Sequence, residues 1–555
     1  MGESHVNGVP VFWQEGSGEV SGFLLFRVGL RDEGLRHAGL TSVVVSMVQR
    51  VTGFFVPTSW SGSTLDTVVF AATGARAEVC AQLDEVCELL ADPPEDLIEN
   101  VLSDRGAAGW LDVPRPTAAL LRHDYGSTGI GAAYWADDIP LDRFTPREVR
   151  EHLARYFVAG NAVCAITTPV LDGAMRLPLP PGAAPRRPAI TPNQRSSAEW
   201  FSGGPPPYSG VGVMLPGTLD AVWAVTQDVL DLRLHPVQES LVDRWDGQDR
   251  ILGQTMLSSD TVHVAIDLFC EHDASARAAG AVWAALTELA AAGPDQDELT
   301  ALLERRRRSD AGHRDTERAA SRVFRRAHLA LFGVTGSDGC DERSRARVRP
   351  EQVAAALRTA MRSALVVVPD GVELALPGVE HVIPTSLPPE GGARFEATGG
   401  CPPGQDRELL VEGADRLCHR NALGRWQSVA WSEVVGWSVW RGVAVVYGRN
   451  GEKIVADPHR FPGCEPLVSR LPDLVPSELG WPGSMEEVDI VAAGLARQAM
   501  EDLHSAPEGG LDHFVYQEMS VRELERRLPS ASGVLRRQVA RNLRSLGVDG
   551  PLHRS

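Results

Sequence analysis

An amine able to form a Schiff base or to cradle a phosphate occurs once in this sequence, at Lys453 in the turn-like stretch GRNGEKIVAD. Its neighbours spell neither GxxxxGK[ST] nor VAIK, and a Schiff-base lysine needs a desolvated pocket rather than a hairpin. P-loop, kinase and pyridoxal chemistry are therefore set aside. The hydrolase signatures GxSxG, HExxH and HxxEH are absent, although Glu-His pairs stand at 151–152, 271–272 and 380–381. His263 and His272 lie close together in HVAIDLFCEHD, but their opposite parity sends them to opposite faces of one strand. They read as a strand residue and a loop residue, and His152 and His328 as helical residues at the edge of a core. Arg305 to Arg308 span one helical turn and read as a solvated or ion-paired run. Eight scattered cysteines with no CxxC pair favour reduced, buried thiols over a zinc ribbon or a disulfide framework.

Stepping from residues to elements, proline and glycine crowd 177–209 and 383–404, which read as two linkers separating three blocks. The first two blocks, 1–176 and 210–382, look like copies. DTVVFAATGARAEV and the periodic run after it, through a proline break, match DTVHVAIDLFCEHD and its following helices. TPREVREHLARYFVAGNAVCAITTP is likewise matched by RPEQVAAALRTAMRSALVVVPD, a proline-opened helix and a buried strand in each. The expected class is α+β, with two homologous halves, each an antiparallel-rich sheet covered by helices. Block 405–480 reads as a small β-module with a C-terminal helix, weakly similar to pleckstrin-homology-like domains. Its Trp426, Trp431, Trp437 and Trp440 are expected to be core more than ligand face. Residues 481–555 read as a helical tail, with Ser520 and Glu523 in a capping box.

In the first block, residues 7–49 carry an NG-opened strand, a second strand, the turn Val28-Gly29-Leu30-Arg31-Asp32-Glu33 and a Gly39-Leu40 step into a helix. This order resembles the start of the insulinase-like metallopeptidases, the inverzincin family that includes the mitochondrial processing peptidase. The resemblance implies two homologous α+β halves and places HxxEH where this chain has Ser42-Val43-Val44-Val45-Ser46. The two imidazole positions then fall on Ser42 and Ser46, the general base on Val45 and the distal carboxylate nearest to Asp104. Serine hydroxyls are poor zinc ligands and valine takes no proton, so no bound zinc and no catalytic residue are expected. Arg244 is the candidate for a substrate-contacting arginine, although the family's following tyrosine is missing.

A net charge of −19 disfavours nucleic acid as a partner. With no apolar run long enough to span a bilayer and no secretory leader pattern, the expected setting is the cytoplasm, without membrane insertion. The reading that follows is a catalytically inactive insulinase-like homologue that binds a peptide or polypeptide, or serves as the non-catalytic partner of a zinc-bearing paralogue. The alternative is a stand-alone peptide-binding scaffold with a C-terminal interaction module.

Overall fold

The computed structural model describes residues 1–482 apart from 53–58, 64, 104–114, 136–138, 140, 170–172, 188–190, 194, 204–209, 242–251, 258–260, 313–314, 335–341, 384–385, 387–388, 399–406, 422–423 and 441. The first domain contains β1 (Gly2–Val6), β2 (Val9–Trp13), β3 (Val20–Phe26), α1 (Leu40–Thr52), β4 (Ser59–Ser63), β5 (Val68–Gly74), α2 (Arg76–Ala91), α3 (Glu95–Ser103), α4 (Arg115–Tyr125), α5 (Pro146–Tyr156) and β6 (Ala162–Ile166). Its strands lie in the order β1-β2-β6-β3-β5-β4. Alternation along β5 sends Val68 and Phe70 into the main core and Val69 to the opposite face. Pro146 opens α5 behind a capping box, in which Glu148 N–H donates to the Thr145 hydroxyl and Thr145 N–H to the Glu148 carboxylate.

The second domain repeats this plan with β7 (Ala198–Ser202), β8 (Val211–Thr218), α6 (Ala221–Leu241), β9 (Leu252–Met256), β10 (Thr261–Leu268), α7 (Ser275–Ala292), α8 (Gln296–Gly312), α9 (Asp315–Leu331), α10 (Glu342–Arg345), α11 (Pro350–Met361), β11 (Leu365–Val368) and β12 (Val379–His381). The order β12-β7-β11-β8-β10-β9 sets β7, β11, β8, β10 and β9 where the first sheet has β2, β6, β3, β5 and β4. Pairing sense agrees as well: β2 with β6 and β7 with β11 are parallel, and the equivalent pairs beyond them are antiparallel.

Each domain lends a helix to the other. The apolar side of α9 (Val323, Ala327 and Leu331) covers Phe12, Leu25 and Val69 on the first sheet. The residues Ala118 to Leu121 of α4 join a core with Phe201, Met214, Leu365 and Val367 of the second. Gly212 permits that approach, since a Cβ there would stand 2.8 Å from Leu120 and from Pro116.

Buried polar contacts fix α4 at both ends. Thr117 donates its N–H (2.9 Å) and its hydroxyl (2.5 Å) to the Asp267 carboxylate, and Tyr125 Oη lies 2.5 Å from His263 Nε2. Eight residues of helix advance about 12 Å and four residues of strand about 13 Å, so the two spacings match. Burial pushes the Asp267 carboxyl up to about 7, against both bonds from Thr117. Thr117→Val is therefore expected to lower stability by about 2 kcal/mol, because the buried Asp267 carboxyl loses the hydroxyl donor and keeps only the backbone N–H of residue 117. Denaturant melts of both proteins test this, and an unchanged midpoint would show that the contact contributes nothing.

The third body consists of β13 (Ala393–Glu396), β14 (Leu409–Glu412), β15 (Arg416–Arg420), β16 (Trp426–Ala430), β17 (Val434–Trp440), β18 (Val443–Gly448), β19 (Lys453–Ala456), α12 (Glu465–Leu474) and β20 (Gly480–Pro482). Two sheets, β13-β14-β15-β16 and β19-β18-β17-β20, enclose a core that includes Trp431 and Trp437. Trp426 packs on a small separate cluster, and the Trp440 side chain lies outside the described residues. This module is not a free arm. Val445, Tyr447 and Trp481 enter the first domain's core, and Ser127 N–H donates to the Arg449 carbonyl at 3.0 Å. The lone lysine belongs to this seam, with Lys453 Nζ 5.8 Å from the Trp135 ring centroid and 5.9 Å from that of Tyr447.

Both expected linkers need correction. Within 177–209, Leu177 and Leu179 are buried, Ala183 bridges to Gly160, and β7 is a full member of the second sheet. Within 383–404, β13 pairs with β14. The prolines flank these strands in sequence without interrupting them, so proline density marked the strands' ends and not a domain gap. The tail beyond 482, with Ser520 and Glu523, lies outside the described residues.

Candidate functional site

The helix α1 begins where the chain turns through Gly39, whose φ of +102° favours glycine. Ahead of it, Glu33 is 5% exposed and serves as the helix's acceptor. Its carboxylate takes the Gly39 N–H at 2.7 Å, the Thr41 N–H at 2.7 Å and the Thr41 hydroxyl at 2.6 Å. These bonds satisfy donors that the first helical turn would otherwise leave open. Since the Thr41 proton points at Glu33, the hydroxyl oxygen accepts from His152 Nε2 at 3.0 Å. Burial pushes the Glu33 carboxyl up to about 7 in spite of these bonds, and pushes the His152 imidazole down to about 3.

The other residues of the VGLRDE turn are also structural. A Cβ on Gly29 would stand 2.7 Å from the Asp66 nitrogen and the Leu65 carbonyl oxygen. Asp32 forms a two-pronged ion pair with Arg187, at 3.0 and 2.9 Å, in which both side chains are largely buried. Gly39→Ala is expected to lower stability by about 1–2 kcal/mol through backbone strain, read as a drop in melting temperature. An unchanged melt would contradict the glycine requirement.

On α1 itself, Ser42 and Ser46 share one face, one turn apart, while Val43, Val44, Met47 and Val48 are buried in the main core. Val45 is also buried, at 6% exposure. The two serines are half-buried. Asp104 and Arg244 lie outside the described residues. Among the described residues no group of three or more histidine, cysteine, aspartate or glutamate side chains is arranged to hold a metal ion. A donor set of two neutral hydroxyls and a valine does not fit zinc.

The histidines go elsewhere. His263 faces Tyr125 from β10, while His272 sits in the turn after that strand with its Nε2 2.9 Å from the Asp370 carbonyl. His328 lies beside Phe324 and Phe332 on α9, and Arg306 of the arginine run pairs with Asp228. Beside Tyr125, the buried Asp124 pairs with Arg195, yet burial still raises its carboxyl to about 6. Burial, with Arg195 adding to it, lowers His263 to about 4. Residue spacing gave no sign of this interdomain network, because it depends on the helix exchange. Glu33 was more accessible: an acid just ahead of a Gly-Leu helix start is a signal for a helix acceptor.

Six cysteines (80, 87, 164, 270, 418 and 464) are buried free thiols. No described helix is long and apolar enough to cross a membrane.

No family model matches the sequence, and no curated protein is similar to it. Solved structures do resemble the fold. An inactive domain of an M16 peptidase from Pseudomonas fluorescens superposes with a TM-score of 0.50 at 15% identity, over 69% of this chain and 98% of that one. A protease from Helicobacter pylori gives 0.49 at 12% identity, over 66% and 99%. The first half of the periplasmic protease PqqL from Escherichia coli gives 0.47 at 13% identity, over 66% and 91%. With its two matching six-stranded sheets and the helices that cover them, the chain has the fold of the M16, insulinase-like peptidases.

Proposed function

We propose that this protein is a non-catalytic insulinase-like subunit, binding peptide and supporting a zinc-bearing relative. The observation that supports the reading is α1: the helix on which the resemblance places the metal motif carries half-buried Ser42 and Ser46 and a buried Val45. The resemblance to a domain described as inactive in an M16 peptidase is in keeping with it. Peptide binding has a physical route as well. The outer edge of the first sheet is β4, which contacts α1 and has no strand on its free side among the described residues. An extended peptide can add to such an edge through backbone hydrogen bonds. Buried reduced thiols suit a cytoplasmic setting.

A stand-alone scaffold is the second reading. The packing of the β-module into the first domain favours it in one respect, because the chain becomes a single larger platform. Three measurements separate these readings from an enzyme. Metal analysis is expected to find less than one zinc per chain, and the isolated protein is expected to cleave no peptide. Co-expression with an HxxEH-bearing relative is expected to give a co-eluting complex with higher peptidase activity than the relative alone. Separate elution from a fully active relative selects the scaffold, and one tightly held zinc with chelator-sensitive cleavage refutes both readings.

A further inference from the structure

Charge is unevenly distributed along this acidic chain. Between residues 305 and 326, nine arginines face three acids, a net of +6 in a protein whose total is −19. On α9 the separation follows the helical period. Val323 and Ala327 are buried against the first sheet and Ala319 is buried beside Gly16, whereas Arg322 and Arg325 are exposed and Arg318 is half-buried. Arg322 makes no ion pair among the described residues.

Beside this row lies a groove of about 710 Å³ between α9 and the turn that joins β2 to β3. Its lining includes Glu15, Gly16, Asp315, Arg318 and Arg322. The two walls are fastened at one point by the Thr316 hydroxyl, which donates to the Ser17 carbonyl. Asp315 also pairs with Arg318. The groove therefore offers cationic donors and carboxylate acceptors side by side.

We propose that this groove and the arginine row of α9 dock an acidic, extended polypeptide segment with carboxylates at alternate residues. Arg318 and Arg322 are four helical residues apart, an advance of about 6 Å. Alternate side chains of an extended chain repeat every 6.7 Å or so, close to that spacing. The ligand's carboxylates meet the guanidinium groups, and its backbone N–H groups meet Glu15 and Asp315. That mixture selects against nucleic acid, whose phosphates the two carboxylates repel and which has no backbone amide to offer them. The whole-chain charge of −19 opposes a dense polyanion for the same reason. The surface is separate from α1 and β4, so it stands or falls independently of the subunit reading above.

The test uses the full chain and a fluorescently labelled Glu-Ser repeat peptide of twelve or so residues, followed by anisotropy. Binding is expected in low salt, with affinity falling about tenfold on raising ionic strength to roughly 0.3 M. Arg322→Glu is expected to weaken binding about tenfold and Arg322→Gln about threefold, both with unchanged melts because the side chain is exposed. A Lys-Ser repeat is expected not to bind. The proposal is overturned by absence of Glu-Ser binding in low salt, by equal affinity in both Arg322 variants, or by a single-stranded oligonucleotide of equal charge binding as tightly as the peptide.

Discussion

Glu33→Gln is expected to destabilise the protein by about 2 kcal/mol at pH 5, and Glu33→Ala by about 3 kcal/mol, since buried donors at the start of α1 lose their acceptor. The two carboxylate oxygens accept three bonds, from Gly39 and Thr41, and a glutamine keeps only one acceptor oxygen. The pH dependence separates this site from a generic loss of packing. Glu33 has a folded-state pKa of about 7, above its ordinary value, so its contribution is fully present at low pH and is lost as pH rises through 7. His152 has a folded-state pKa of about 3, below its ordinary value, so its contribution is present above the ordinary imidazole range and is lost as pH falls toward 3. Between about pH 4.5 and 6.5 the two slopes oppose each other. Glu33→Gln removes the carboxyl's slope and leaves that of His152, so the variant should lose more stability than the parent on acidification from pH 7 to pH 5. Other titrating groups are common to both proteins and cancel in the difference. Urea midpoints for parent and variant at the two pH values provide the measurement. Parallel shifts would mean that Glu33 does not titrate in this range.

Much of the architecture could be read from residue order. The strand, helix, proline and second helix after Asp66 recur after Asp260, and they became β5, α2 and α3 in one domain and β10, α7 and α8 in the other. Pro146 and Pro350 open equivalent helices for the same local reason, a fixed φ and a missing N–H that the first helical turn tolerates. What escaped the sequence was non-local. An amphipathic stripe such as Val323, Ala327 and Leu331 states that α9 must cover something apolar, but not which sheet it covers. The exchange of α4 and α9 is decided by partners about 150 residues apart, such as Thr117 and Asp267. Composition misled at the linkers, where prolines stand beside strands that pair within the sheets. For the candidate site, the helix α1 after Gly39-Leu40 was legible, and the expectation that Ser42, Val45 and Ser46 stand where the resemblance puts the metal motif rests on counting from that step. The reason the VGLRDE turn is retained was not. Gly29, Asp32 and Glu33 are held by Leu65, Arg187 and Thr41, contacts that appear only once the chain is folded.

Val45→Glu, which puts a carboxylate where the resemblance places the family's general base, is expected to be strongly destabilising, by about 3–5 kcal/mol, and more so as pH rises. Val45 is 6% exposed and belongs to the core that α1 shares with the first sheet. Burial raises the pKa of an unpaired carboxyl, so its neutral form is the less costly one, and stability falls as pH climbs through the shifted value. By contrast, Ser42→His and Ser46→His stand on the half-buried face of α1, and each is expected to change stability by about 1 kcal/mol or less. The asymmetry carries the argument. If the helix has been repacked around the lost base, the glutamate alone is excluded while the imidazoles are tolerated. If the position is merely an unused site, all three substitutions should be mild, and adding zinc to the triple variant should raise its melting temperature. Thermal melts of the single variants and of the triple variant, with and without zinc, decide between the two. A triple variant as stable as the parent and stabilised by zinc would show that packing around Val45 does not stand in the way of a metal site.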